Sequence, residues 1–197
     1  MTNMKLAVIT GSVREARFGP TVTRWFAERA SLHGLFDLDV IDLAEAPLPA
    51  VLPATPEELI AVDRRSEDLQ RLAGRLAAAD AFAVVTPEYN HSFPASLKNA
   101  IDWHVTQWQA KPVALISYGG FGGGLRAAEH LRQVFGELHA VPIRNWISFD
   151  NHWTRFDADG RLIDSEEADG AAKALLDQLG WWSRALRDAR LATPYQG

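Results

Sequence analysis

The sequence predicts an α/β fold, a parallel sheet of five strands with helices packed on both faces. Two observations predict it. Short β-rich apolar runs alternate with longer segments of helical periodicity, the signature of βαβ units. The run Ala81–Thr86 (AFAVVT) is apolar almost without a break, as a strand covered on both faces must be. No internal repeat, low-complexity tract or linker-like stretch interrupts the alternation.

Each element has its own signal. Lys5–Thr10 (KLAVIT) is the first strand. Pro20–Leu32 is the first helix, with Pro20 near its start, where a missing N–H costs nothing. Phe36–Leu43 alternates as the second strand, and Pro47, Pro49 and Pro53 make Ala44–Ala54 a loop. Thr55-Pro56-Glu57-Glu58 resembles a capping box. Leu69, Leu72, Ala73, Leu76 and Ala77 then mark a buried helix face. After the third strand, Ala81–Thr86, a helix covers about Pro94–His104. Pro112–Ser117 is the fourth strand. Gly124–Leu138 is a helix with Leu125, Ala128, Leu131, Phe135 and Leu138 on one side. Val141–Phe149 is the fifth strand, and the last helix runs from about Glu166 to Ala189 with Leu175, Leu179, Trp182 and Leu186 facing in. This succession matches the doubly wound, flavodoxin-like strand order 2-1-3-4-5, in which ligands bind outside the carboxyl ends of the strands beside strand one.

Composition narrows the function. A chain of 197 residues suits one domain over 1–197, and 47% hydrophobic residues suffice for one sizeable core. Cysteine is absent, which excludes disulfides, thiolate metal sites and cysteine nucleophiles. Twenty Lys and Arg against 25 Asp and Glu leave a formal charge of −5, without the basic footprint of a nucleic-acid binder. No apolar run is long enough to span a bilayer, and Met4–Thr10 reads as a strand instead of a signal peptide, so a cytoplasmic location is expected. The six histidines show no metal-binding spacing, and no Gly-x-Ser-x-Gly elbow is present.

Three loops at the expected carboxyl edge are unusual. The first, Gly11-Ser12-Val13-Arg14-Glu15-Ala16-Arg17-Phe18-Gly19-Pro20, leads from a buried strand into a helix N-terminus. Ser12, Arg14, Arg17 and that terminus together make a phosphate cradle. A solvated turn with two surface arginines is the competing reading of this loop taken alone. The loop lacks the Walker lysine and the Gly-x-Gly-x-x-Gly spacing, so a monophosphate or terminal phosphate is expected. The second, Thr86–Trp103, carries Pro87, Glu88, Tyr89 and Asn90. Tyr89 offers a flat face, and backbone amides around Glu88–Asn90 suit the polar edge of a heteroaromatic ring. A proline-rich connector is the alternative. In the third, Ser117-Tyr118-Gly119-Gly120-Phe121-Gly122-Gly123-Gly124, five of eight residues are glycine, which allows close approach of backbone to a flat ligand. A mobile Gly-rich loop is the alternative there.

Taken together, Gly-Ser-Val-Arg with a second Arg three residues on, Pro-Glu-Tyr-Asn-x-Ser-x-Pro-x-x-Leu-Lys-Asn-Ala-Ile-Asp-Trp and Ser-Tyr-Gly-Gly-x-Gly-Gly resemble the NADPH-dependent FMN reductase family, which includes quinone, chromate and azo-dye reductases. The resemblance runs from about Met4 to Phe149; from Asn151 onward no family motif is identified. It implies FMN, with its phosphate near Ser12, Arg14, Arg17 and the helix start at Phe18–Gly19. The flavin ring would lie between Pro87–Asn90 and Ser117–Gly120. It also implies NADPH or NADH as co-substrate, and a homodimer or homotetramer.

The function expected is hydride transfer from NAD(P)H through bound FMN to a quinone, azo, flavin or metal-oxyanion acceptor. The flavin supplies the chemistry, so no catalytic side chain is named. Amides near Glu88–Asn90 and Gly119–Gly120 are expected to stabilise negative charge on the ring. The alternative is an FMN-binding electron carrier or redox sensor without NAD(P)H turnover. The helix Pro94–Trp103, apolar on more than one side at Leu97, Ala100, Ile101 and Trp103, is expected to meet a partner subunit. Trp103 and Trp108 are candidates for that interface. Trp25, Trp146 and Trp182 are expected to pack in the core or at helix–sheet contacts. His91, in the second loop, could approach a substrate, and a surface loop position is the reading favoured. Arg155–Arg161 reads as a turn at Asp159-Gly160.

Overall fold

The computed structural model describes residues 3–61 and 66–196. Five strands, β1 (Met4–Thr10), β2 (Phe36–Asp42), β3 (Ala81–Pro87), β4 (Pro112–Tyr118) and β5 (Val141–Phe149), form one sheet in the order β2-β1-β3-β4-β5. Every pairing is parallel. The register brings the strand ends level: Thr10 pairs with Asp42 and Val85, Pro87 with Tyr118, and Tyr118 with Phe149. The loops that follow β1, β3, β4 and β5 therefore leave the sheet along one edge.

Among the described residues five helices pack on the sheet, α1 (Gly19–His33), α3 (Glu67–Ala78), α4 (Ala95–Trp103), α5 (Leu125–Glu137) and α6 (Glu166–Ala192), and a short exposed helix, α2 (Pro56–Ile60), precedes α3. Alternation along the strands sends successive side chains to opposite faces. Leu6 and Val8 join Phe26, Trp25, Leu175 and Leu179 in a core under α1 and α6. Ala7 and Ile9 join Leu72, Leu76, Leu97, Ile101 and Phe135 in a second core under α3, α4 and α5. The middle strands are buried on both faces, which is why Ala81–Thr86 reads as a continuous apolar run.

Thr55 caps the helix as expected, its Oγ1 accepting from the Glu58 amide at 3.2 Å, while the Glu58 carboxylate accepts from the amide of Ala54, one residue before the cap. The helix it starts stops at Ile60, and a second N-cap, Ser66, opens α3. Ala77 and Leu125, expected inside, are exposed at the margins of their helices.

In helix α4 the apolar sides are filled from within the chain. Leu97, Ala100, Ile101 and Trp103 are all buried within the chain. The proline loop folds back over the helix: Asn99 Nδ2 donates to the carbonyl of Pro49 at 3.0 Å, and Trp103 Nε1 donates to the same oxygen at 2.8 Å. The apolar sides that called for a partner are thus covered by this chain's own loop and sheet. Trp108 is only 1% exposed, wedged edge-on between Phe82 and Phe135, so neither Trp103 nor Trp108 is a surface residue. Trp25 packs in the core and Trp182 lies partly buried against it, as expected. Trp146, expected inside, is 40% exposed on β5 with the Arg132 guanidinium over its ring.

Candidate functional site

A cavity of about 360 Å³ opens at the carboxyl ends of β1, β3 and β4, within the size range of small-molecule sites. Its wall includes Arg14, Arg17, Phe18, Pro87, Glu88, Tyr89, Tyr118, Gly119 and Gly120, drawn from all three loops singled out in the sequence, together with His152 from the loop after β5. Ser12, Gly19, Asn90 and Ser117 do not line it directly.

The end formed by the first loop is rich in donors without acceptors. Helix α1 has no side-chain cap, since Phe18 stands at the cap position. Among the described residues the backbone N–H groups of Ser12, Val13, Arg14 and Gly19 have no intramolecular acceptor. An uncapped helix start beside such a loop is an anion-binding arrangement. Gly19 is required by close approach: a β-carbon there would lie 2.9 Å from Thr10 Cγ2 and 3.1 Å from the Tyr118 hydroxyl.

Ser12 is fully buried beneath this loop, and its hydroxyl bonds the Tyr89 hydroxyl at 2.8 Å. It ties the first loop to the second. The Tyr118 hydroxyl lies nearby, and burial pushes its pKa well above the usual phenol range, so it remains a neutral donor. Arg14 is exposed. Arg17 is partly buried and clasps Asp42, with Nη1 and Nη2 at 2.6 and 2.8 Å from the two carboxylate oxygens. That pairing raises the Arg17 pKa.

The second loop turns tightly. Tyr89 and Ser92 exchange both backbone hydrogen bonds, and Asn90 and His91 take φ of 49° and 69°, the mirror-image two-residue turn. Asn90 and His91 both stand exposed at its tip, His91 as expected. The expectation about amides needs correction. The Glu88 N–H donates to the Tyr118 carbonyl, Tyr89 N–H to Ser92, and Gly119 N–H to Phe149, because the chain still follows sheet and turn geometry there. The amides of Asn90 and Gly120 have no intramolecular acceptor among the described residues.

Glu88 has a role the sequence did not reveal. Its carboxylate reaches the third loop, accepting from Arg126 Nε at 2.6 Å and from the Arg126 backbone N–H at 3.1 Å. It caps α5 and clamps the two loops together. Ser117 also faces away from the cavity: its hydroxyl donates to the Gly123 carbonyl at 2.8 Å, since strand alternation turns only Tyr118 toward the site. Gly123 and Gly124, at φ of 59° and 86°, allow the loop to fold against Ser117 and Ser148.

His152 was missed. Its N–H and Nδ1 both engage the Gly119 carbonyl, at 3.2 and 3.0 Å, and the Asn151 N–H bonds Gly120. The ring packs against Phe18 at 4.6 Å and edge-on to Tyr118 at 5.2 Å. Beyond it Trp153, 61% exposed, lies over Gly120, its Cη2 3.5 Å from where a β-carbon on that glycine would stand. Phe121, 91% exposed, sits on the glycine loop. The signal available was positional: a loop after β5 shares the carboxyl edge. Asp159-Gly160 forms the expected turn, with Asp157 accepting from the amides of Asp159 and Arg161. Among the described residues no helix is long and apolar enough to cross a membrane.

The cavity thus joins an anion-binding end to a flat aromatic and glycine end, which suits a phosphorylated heteroaromatic molecule. The profile of the family described as NADPH-dependent FMN reductase matches residues 4–154. A NAD(P)H-dependent FMN reductase of Schizosaccharomyces pombe is 39% identical over 136 residues, spanning 68% of this chain and 66% of that protein. An NADPH:quinone oxidoreductase of Arabidopsis thaliana is 32% identical over 182 residues, 88% of this chain and 89% of that one. Among solved structures, the flavoenzyme NAD(P)H:(acceptor) oxidoreductase FerB of Paracoccus denitrificans superposes with a TM-score of 0.71 at 24% identity, over 92% of this chain and 98% of that one, a likeness of fold.

Proposed function

The chain belongs to the NADPH-dependent FMN reductase family, and on that premise we propose that it is an FMN-dependent oxidoreductase that takes a hydride from NADPH or NADH and reduces a small acceptor such as a quinone. Azo compounds, free flavin and metal oxyanions belong to the same acceptor class. The observation that carries this reading is the cavity at the carboxyl edge, with Arg14 and Arg17 at one end, on a loop whose amides are unpaired, and flat surfaces at the other. The flavin, when bound, supplies the two-electron chemistry.

The chain's own residues bind and orient. The uncapped start of α1, Arg14 and Arg17 suit the phosphate. Tyr118, Phe18 and His152 form one apolar wall, and Pro87 with Gly119–Gly120 form another surface on which a ring can lie. The unpaired amide of Gly120, on the cavity wall, is the donor left for its polar edge. Ser12, Gly19 and Ser117 support this arrangement from beneath through Tyr89, Tyr118 and Gly123. Trp153 and Phe121 at the rim suit planar donors and acceptors.

The proposal includes a cytoplasmic enzyme that forms a homodimer or homotetramer. Exposed Val13, Val51 and Leu52 beside α4 support the assembly. The decisive experiment is anaerobic titration of the FMN-loaded protein with NADPH and NADH, read by visible absorbance. Bleaching is expected. A yellow protein that neither nucleotide bleaches would be a carrier or sensor instead.

A further inference from the structure

We propose that Asp42 is the residue that positions Arg17 to grip two oxygens of a phosphate monoester. The inference rests on the FMN reading above. A guanidinium has five N–H donors distributed over distinct edges. Asp42, the last residue of β2, occupies the terminal edge of Arg17: Nη1 donates to Oδ1 at 2.6 Å and Nη2 to Oδ2 at 2.8 Å. Nη1 also donates to the Ser12 carbonyl at 2.8 Å. Three of the five donors are thereby used. The remaining two, on Nε and Nη2, share the lateral edge, and among the described residues nothing accepts from them.

That lateral edge matches a pair of oxygens, as this protein itself demonstrates. On the same strand, Asp39 receives Arg75 through Nε and Nη2. Arg17 presents the same edge while its terminal edge is taken, and it lines the cavity. Asp42 is itself held, since Oδ1 also accepts from the Ala44 amide at 3.0 Å. Both partners are largely buried, with side-chain exposures of 19% and 18%, so the pair is less screened than a surface contact. Arg17 shares the cavity wall with Arg14 of the same loop, so the lateral fork can join it in holding one phosphate.

The test compares FMN with riboflavin, which lacks the phosphate, by quenching of flavin fluorescence on titration with the apoprotein. Asp42→Ala is expected to weaken FMN binding about tenfold, the worth of one charge-assisted hydrogen bond, and to leave riboflavin binding unchanged. Arg17→Lys, which keeps the charge and loses the fork, is expected to do the same. Asp42→Asn keeps an oxygen for Arg17 and Ala44 and is expected to fall between, which also guards against a fold defect in the alanine variant. Equal losses for FMN and riboflavin would make Asp42 a general support and overturn the proposal. Unchanged or tighter FMN binding in Asp42→Ala would overturn it too, because the carboxylate would then be a competitor of the phosphate. A wild-type protein without preference for FMN over riboflavin would instead sink the phosphate reading itself.

Discussion

At the scale of single residues, the site separates side chains with donors to give from those already engaged. Arg14 is exposed at the cavity. Arg14→Ala is therefore expected to weaken FMN binding by about one to two decades, from roughly 1.5–3 kcal/mol for a charged hydrogen bond, with the melting temperature almost unmoved. Calorimetric titration checks the first part and a thermal melt the second; unchanged affinity would remove Arg14 from the site. Residue types were legible in the sequence where chemistry demanded them: the arginines, the glycines and the aromatic at Tyr118. The partners were not. Nothing in a linear sequence says that Glu88 turns toward Arg126, that Asp42 stands behind Arg17, or that Ser12 is roofed by Tyr89. Those pairings join loops separated by 25 to 77 residues.

At the scale of elements, strands and their order followed from pattern because burial on two faces leaves an unbroken apolar run, whereas α4 misled for the same reason. Its apolar sides were real, but the loop that covers them is broken by Pro47, Pro49 and Pro53 and has no periodicity that would place it over a helix. The opposite edge of the sheet carries its own chemistry. Lys111, just before β4, donates from Nζ to the carbonyls of Leu76 and Ala77 at the end of α3 and lies over the Phe82 ring. Burial, with help from Arg190 and against the pull of Asp80, lowers its pKa to about 8. Below that pH both folded and unfolded chains hold the proton. Between about 8 and 10.5 only the unfolded chain does, so this group makes stability rise with pH across that window. Denaturant unfolding at pH 7 and 9.5 is expected to show the wild type gaining on Lys111→Met by about 2 kcal/mol. Tyr118, shifted upward, acts in the opposite sense at higher pH and cancels in the difference between the two proteins. A parallel pair of curves would show that Lys111 is not desolvated.

At the scale of the whole molecule, one cavity is expected to serve donor and acceptor in turn, because the three loops and His152 converge on the same space at the carboxyl edge. Steady-state kinetics with a nicotinamide donor and a quinone are expected to give parallel double-reciprocal lines; intersecting lines would place both substrates on the protein together. The fold class, the strand order and the three loops were all readable in advance. The fourth contributor, after β5, lay beyond the recognisable motifs and was disclosed only when the register of β4 and β5 set Phe149 level with Tyr118. The sheet covered on both faces has a further consequence for motion. Backbone amides in Leu6–Ile9, Phe82–Val85 and Val113–Ile116 are sealed between two cores, so they exchange with deuterium only when the entire molecule opens. The loops around the cavity spring from the ends of those same strands, and they can reshape around successive guests while their roots stay locked.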